Sequence, residues 1–170
     1  LGIHSVRIFA PQWRDARLDA LGEGKWKGIY SIVSLASFML LVYGYGLARE
    51  GAQQVFEPPL WSRLALMAVM PVAFVLWFAS QPGMGFIKRT VKHPLLWSVI
   101  LWSGFHLLAN GDLASLVLFV SVLVWAMLDM VSALRRPVSD APAPTIVPDL
   151  ISIVVGLLLA WAFFAFLHEW

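Results

Sequence analysis

Apolar positions in this chain do not alternate with polar ones. They form five unbroken runs, 28–48, 64–80, 94–111, 113–128 and 150–167, separated by polar connections. None of the runs contains Asp, Glu, Lys or Arg, and each is 16 to 21 residues long. About 20 helical residues cross the hydrocarbon core of a bilayer. A backbone in lipid must satisfy its own hydrogen bonds, so each run predicts a helix. The expected fold class is all-α: a polytopic membrane helix bundle with five visible spans, forming one domain over 1–170.

The punctuation between the runs agrees. Pro58 and Pro59 precede the second run, and Pro94 opens the third, where a missing N–H removes no helical bond. Pro71 lies inside the second run and predicts a kink whose freed carbonyl neighbouring helices cover. Gln81-Pro82-Gly83 ends that run. Asn110-Gly111-Asp112 is short enough only for an antiparallel hairpin, with Asp112 as N-cap of the next helix and Asn110 capping the one before. The polar stretch 5–27 is broken at Pro11; residues 15–21 predict a short amphipathic helix at the membrane surface, anchored by Trp13 and Trp26. The Pro- and Ala-rich segment 136–148 predicts a flexible linker. Leu1 is not a methionine and 1–3 are apolar, which leads us to expect a preceding helix ending there and a chain trimmed at both ends.

Charge gives an orientation. If the helices alternate, connections 1–27, 81–93 and 134–149 share one side and carry Arg7, Arg14, Arg17, Lys25, Lys27, Lys88, Arg89, Lys92, Arg135 and Arg136. The other side has only Arg49 and Arg63. Ten basic residues against two place the first group in the cytoplasm. Because topology accounts for the basic residues, a net charge of +2 gives no reason to expect nucleic acid; the expected surroundings are the lipid bilayer. With no cysteine, disulfides, thiolate metal sites and cysteine nucleophiles are excluded. Nothing resembles a phosphate-binding glycine loop, a paired-carboxylate site or a Ser-His-Asp arrangement. Pro71 alone hints at a transporter's broken helix.

Histidine is the remaining candidate chemistry. His4 and His93 fall at similar depth on different helices, so two imidazoles could ligate one metal or a haem iron. Each also reads as an ordinary polar residue at a helix end. His106 follows His93 by thirteen residues, about 20 Å of rise and about 220° of rotation, so those two cannot ligate the same iron. His106 sits within an apolar run, where a polar side chain faces the bundle interior. His168 closes the last run on the outer side. Asp129, with Arg135 and Arg136 six and seven residues on, reads as a structural ion pair ahead of a proton relay.

Several pieces of the chain together resemble the NnrU family of integral membrane proteins. They are Gly2-Ile3-His4-Ser5-Val6-Arg7, residues 26–34, Lys92-His93-Pro94, residues 106–112, and the ending Leu167-His168. The resemblance implies six helices in the full-length protein and a link to denitrification and nitric-oxide metabolism. The zeta-carotene isomerase of plants and cyanobacteria is a relative of that family, and it implies a b-type haem (haem b) with His4 and His93 as axial ligands, that is, as ligands of the iron. In that picture His106 and Asn110 are internal polar supports. This chain has Lys92 where that relative has Arg, and it has no cysteine ahead of the motif, so ligand exchange to cysteine has no residue here. Lys92-His93-Pro94 is also similar to an element of membrane methyltransferases, but the acidic, arginine-containing motif those need near the C-terminus is missing. Three functions are thus expected: a haem-binding membrane protein, a non-enzymatic assembly or transport partner of nitrite or nitric-oxide reductase, and a haem-dependent polyene cis–trans isomerase. If the chain is an enzyme, it is an isomerase or a redox protein.

Overall fold

A computed structural model describes residues 1–136 and 142–167. His168 and the middle of the predicted linker lie outside them. All regular structure among the described residues is helical. Two short helices, α1 (Gly2–Phe9) and α2 (Pro11–Leu21), lead into α3 (Glu23–Glu50). Then come α4 (Leu60–Ala79), the short α5 (Phe86–Val91), α6 (Pro94–Ala109), α7 (Leu113–Leu134) and α8 (Ile146–Ala162), which runs on as a π-turn, Phe163–Leu167. Four of these are long and apolar enough to cross a membrane: α3, α4, α7 and α8 with its extension. The fifth predicted span, α6, is a 16-residue apolar helix.

The core is the packing of α4 against α6 and α8, with α7 on the far side of α6. Leu66, Met70, Ala73 and Ala109 are buried at the centre, beside Trp102 and Phe105. Helices in lipid gain nothing from burying one apolar surface on another, so they associate through close contact of small residues. Ser62, Ser103, Ser115 and Ala126 are accordingly fully buried. Ser98 donates to the Ala73 carbonyl at 2.7 Å, tying α6 to α4. Gly156 brings α8 close against α4: a Cβ there would lie 2.7 Å from the Val75 Cα. Gly156→Ala is therefore expected to destabilise the bundle by about 2 kcal/mol, through overpacking against a backbone that cannot yield. Gly104→Ala, whose Cβ would meet nothing within 4 Å, should be close to neutral. Thermal unfolding of the two variants in detergent separates these outcomes.

By contrast, α3 stands apart. None of its most apolar stretch is buried, and it meets the bundle along α7. Its C-terminal end is pinned, because the Tyr45 hydroxyl and Ser115 Oγ are 2.8 Å apart. The loop after α3 straps the hairpin between α6 and α7: Val55 N donates to the Gly111 carbonyl at 2.8 Å and Leu113 N to that of Gln53 at 2.9 Å. Asp112 caps α7 as expected, accepting from Ser115 N at 2.9 Å. Burial opposes ionisation of this carboxyl, but the bonds from the Ser115 hydroxyl and amide outweigh it and hold the group below its usual range. Asn110 Nδ2 donates to the His106 carbonyl at 2.8 Å, closing the end of α6.

Three expectations need correcting. The early helix starts at Pro11, not at 15, because proline is a favoured first helical residue; it also gathers no clear apolar face. The linker is shorter than 136–148, since Ile146, Val147 and Pro148 form the first turn of α8, where the proline's missing N–H has no intrahelical acceptor to lose. Thr145 N donates to the Met84 carbonyl at 2.9 Å, so that end is tied down rather than flexible. Finally, α7 continues past 128 through the charged Asp129 and reaches Leu134, because Arg136 turns back to pair with Asp129 at 2.8 Å.

Candidate functional site

A cavity of about 980 Å³ lies at one end of the bundle, walled by α1, α3, α6, α7 and the connection carrying α5. His4 reaches it from α1 and His93 from the start of α6. The fold thus brings to one cavity the two histidines that sequence depth had paired. His106 and Asn110 are not among its lining residues. They sit at the far end of α6, where the His106 Nδ1 lies 2.8 Å from the Trp102 carbonyl and its ring packs on Trp102 and Phe119.

Each imidazole is presented differently. The Tyr30 hydroxyl on α3 lies 2.5 Å from His4 Nδ1, and the two rings meet edge-on, which fixes the imidazole and directs Nε2 elsewhere. His93 is the N-cap residue of α6, but its side chain makes no capping bond, so its ring is not committed to the helix. Burial lowers the pKa of both histidines from the ordinary value. For His93 the positive charge of Arg136 adds to this and the negative charge of Asp129 opposes it; Asp129 also opposes the shift at His4. Both rings therefore favour the neutral form, which alone offers a lone pair to a metal.

The rest of the wall is cationic. Arg7, Arg14, Lys27, Lys88, Lys92 and Arg136 line the cavity, with Glu23 and Asp129 as the acids. The connections that charge counting put on one side of the membrane converge here. Asp129 is spoken for by Arg136, an ion pair rather than an isolated intramembrane acid. Trp125 also lines the cavity, and its Nε1 is buried without a hydrogen-bond partner among the described residues. A buried indole N–H normally finds an acceptor. Among the described residues no group of three or more His, Asp or Glu could hold a bare metal ion. A metal bound by two imidazoles would need its other ligands from elsewhere.

Sequence reasoning gave no site role to Tyr30, Trp125, Arg7 or Asp149. The first three depend on which face α1, α3 and α7 turn inward. Asp149 is 4% exposed and accepts from Phe86 N at 2.7 Å and Ile87 N at 3.1 Å, capping α5 from α8. On the other flank, Lys88 Nζ donates to the carbonyls of Ser80 and Gln81 at the end of α4. These two clasps hold the connection that carries Lys92 and His93.

The family described as NnrU protein matches residues 1–170, the whole chain. The chain belongs to the NnrU family. No curated protein and no solved structure matches it. Membership in the NnrU family is consistent with a membrane protein related to denitrification. The motif residues His4, Tyr30, Lys92 and His93 of this NnrU protein, which lie far apart in sequence, all line the one cavity.

Proposed function

We propose that this NnrU protein is a bacterial inner-membrane haem protein of nitrogen-oxide metabolism, with haem b in the cavity that His4 and His93 line. The observation that carries the reading is that two histidines from different helices, both favouring the neutral form, face one cavity. The remaining residues suit the group. Arg7, Arg14 and Arg136 would meet its carboxylates, and the unpaired Trp125 N–H would find an acceptor. A porphyrin would supply the ligands that two imidazoles leave open, which accords with a site lacking a third protein ligand.

Bound there, haem would supply an iron able to change oxidation state or take up a small diatomic ligand. The protein's own residues do the rest. Tyr30 holds the His4 ring and selects which nitrogen faces the cavity. Asp129 and Arg136 place a paired charge beside both histidines, and such neighbours tune the electronics of a metal site. Trp102 and Leu96 give the cavity an apolar wall that limits water. The cationic rim is the cytoplasmic end of the bundle by the positive-inside rule.

A second reading has its own support. The lipid-facing length of α3 packs so little against the bundle that it could meet another membrane protein, as an assembly or transport partner of nitrite or nitric-oxide reductase would require. The reduced-minus-oxidised absorption spectrum of the full-length protein, with a pyridine haemochrome assay, decides between the two. Stoichiometric b-type haem supports the cofactor site; a colourless protein from haem-replete cells sinks it and favours the partner.

A further inference from the structure

The residue ahead of His93 holds a backbone conformation that side chains avoid. Lys92 has φ 63° and ψ −55°, and among the described residues it is the one residue other than glycine with positive φ. The His93 amide donates to the Val91 carbonyl, two residues back, at 2.8 Å. These are the marks of the rarer, strained form of γ-turn, whose central residue sits near φ of about +75° and ψ of about −65°. Such strain persists only where the surroundings over-determine it, and it gathers at functional sites. Here the surroundings are the two clasps. Asp149 and Lys88 fix α5 from either flank, and the Lys92 amide closes α5 on the Lys88 carbonyl at 2.9 Å. On the other side of the turn, Pro94 is buried at the start of α6.

The turn has two effects on His93. Successive residues of a helix or a strand face different ways, whereas Lys92 and His93 both line the histidine cavity. The turn also fixes the His93 main chain. Its N–H is taken by Val91, and its carbonyl accepts from Trp97 N at 3.2 Å. The proline that follows keeps it out of the helical region, at φ −120° and ψ 62°. Only the side-chain torsions stay free, and no capping bond holds them. We propose that Lys92 is a positioning residue: its γ-turn, and not its ammonium group, sets the direction in which His93 presents its imidazole to the cavity. An imidazole aimed in advance loses less freedom when it binds. In naming an iron as the target of that imidazole, the proposal rests on the haem reading; the aim of the ring does not.

Substitutions at Lys92 separate backbone from charge, since each removes the ammonium. Lys92→Ala keeps the strain and Lys92→Gly relieves it. Lys92→Val refuses the turn, because a β-branched residue tolerates positive φ least. In the full-length protein in detergent, haem affinity is measured by titration into haem-free protein. The His93 ring is followed in haem-free protein by nitrogen NMR of isotope-labelled histidine, with its signals assigned through His93→Ala. Lys92→Ala and Lys92→Gly are expected to keep the parent's affinity within about threefold, and Lys92→Val to lose roughly tenfold or more. The His93 ring signals should coincide in Lys92→Ala and Lys92→Gly and be displaced in Lys92→Val. Lys92→Gly should unfold about 4 °C above Lys92→Ala, which reads the strain itself. A similar loss of affinity in every variant assigns the effect to the ammonium and overturns the proposal. So does a Lys92→Val protein whose affinity and ring signals match those of Lys92→Gly, or equal unfolding temperatures for Lys92→Gly and Lys92→Ala. Should Lys92→Val fail to fold, the alanine and glycine variants decide by the same criteria. A parent protein that takes up no haem sinks the haem reading alone, and the His93 ring signals and unfolding temperatures then decide the proposal.

Discussion

His93→Ala is expected to strip b-type haem from the purified protein, lowering occupancy roughly tenfold or more, while thermal unfolding of the haem-free bundle stays within about 0.5 kcal/mol of its haem-free parent. The two halves of this result have different causes. Haem is lost because one of its two protein ligands is gone. The bundle survives because the His93 side chain makes no capping bond, so α6 starts as before from Pro94. His4→Ala should also lose haem, but it removes the partner of the Tyr30 hydroxyl as well. Tyr30→Phe isolates that contribution: the ring stays, the orienting bond goes, and haem affinity is expected to fall by about 10- to 100-fold, as when other outer partners of ligating histidines are removed. His106→Ala should keep the spectrum, because its side chain belongs to the opposite end of α6. An unchanged spectrum in His93→Ala would remove the His4–His93 assignment.

Asp149→Ala is expected to be the most destabilising single change at the cavity's edge, at about 3 kcal/mol, read as the shift in unfolding free energy of the detergent-purified protein. Bonds to a charged group contribute about 1.5–3 kcal/mol each, and buried donors left without acceptors cost more than donors that can reach water. Here one carboxylate serves two amides, Phe86 N and Ile87 N, from a site that is 4% exposed. Asp149→Asn, which keeps one carbonyl acceptor, should fall between the parent and the alanine variant. Gly85→Ala should mimic the loss from the other side, because its Cβ would come 2.2 Å from Asp149 Oδ1 and push the carboxylate off α5. If Asp149→Ala unfolds with the same free energy as the parent, the cap contributes nothing and α5 is held by Lys88 and the core.

What the sequence made legible was whatever depends on local chemistry. Uncharged runs of bilayer length became helices, Asp112 became a cap because its acceptor serves an amide three residues on, and charge counting gathered the connections whose basic residues now line one cavity. The depth match of His4 and His93 followed from the same alternation. The boundary drawn at 128 fell short because a charge was taken as an end, whereas Asp129 stays helical by pairing with Arg136. Proline frequency hid the start of α8 for a similar reason: Pro148 looks like a breaker until its place in the first turn is known. Asp149 and Gly156 were illegible because their partners lie far away in the chain. So were Tyr30 and Trp125, since hydropathy gives the length of a span and says little about its rotation.

The cap on α5 also imposes an order of assembly. The carboxylate that closes α5 is synthesised 63 residues after the first amide it serves. When α4 and α6 enter the membrane, the connection between them has only the Lys88 clasp, and His93 waits on a segment not yet anchored from the other side. Only when α8 inserts and brings Thr145 and Asp149 against Met84 and Phe86 does that wall acquire its second tie. Insertion of α8 is thus the step that completes the histidine cavity, and a chain stalled before it would hold all the lining residues of that cavity without the contact that fixes one side of them.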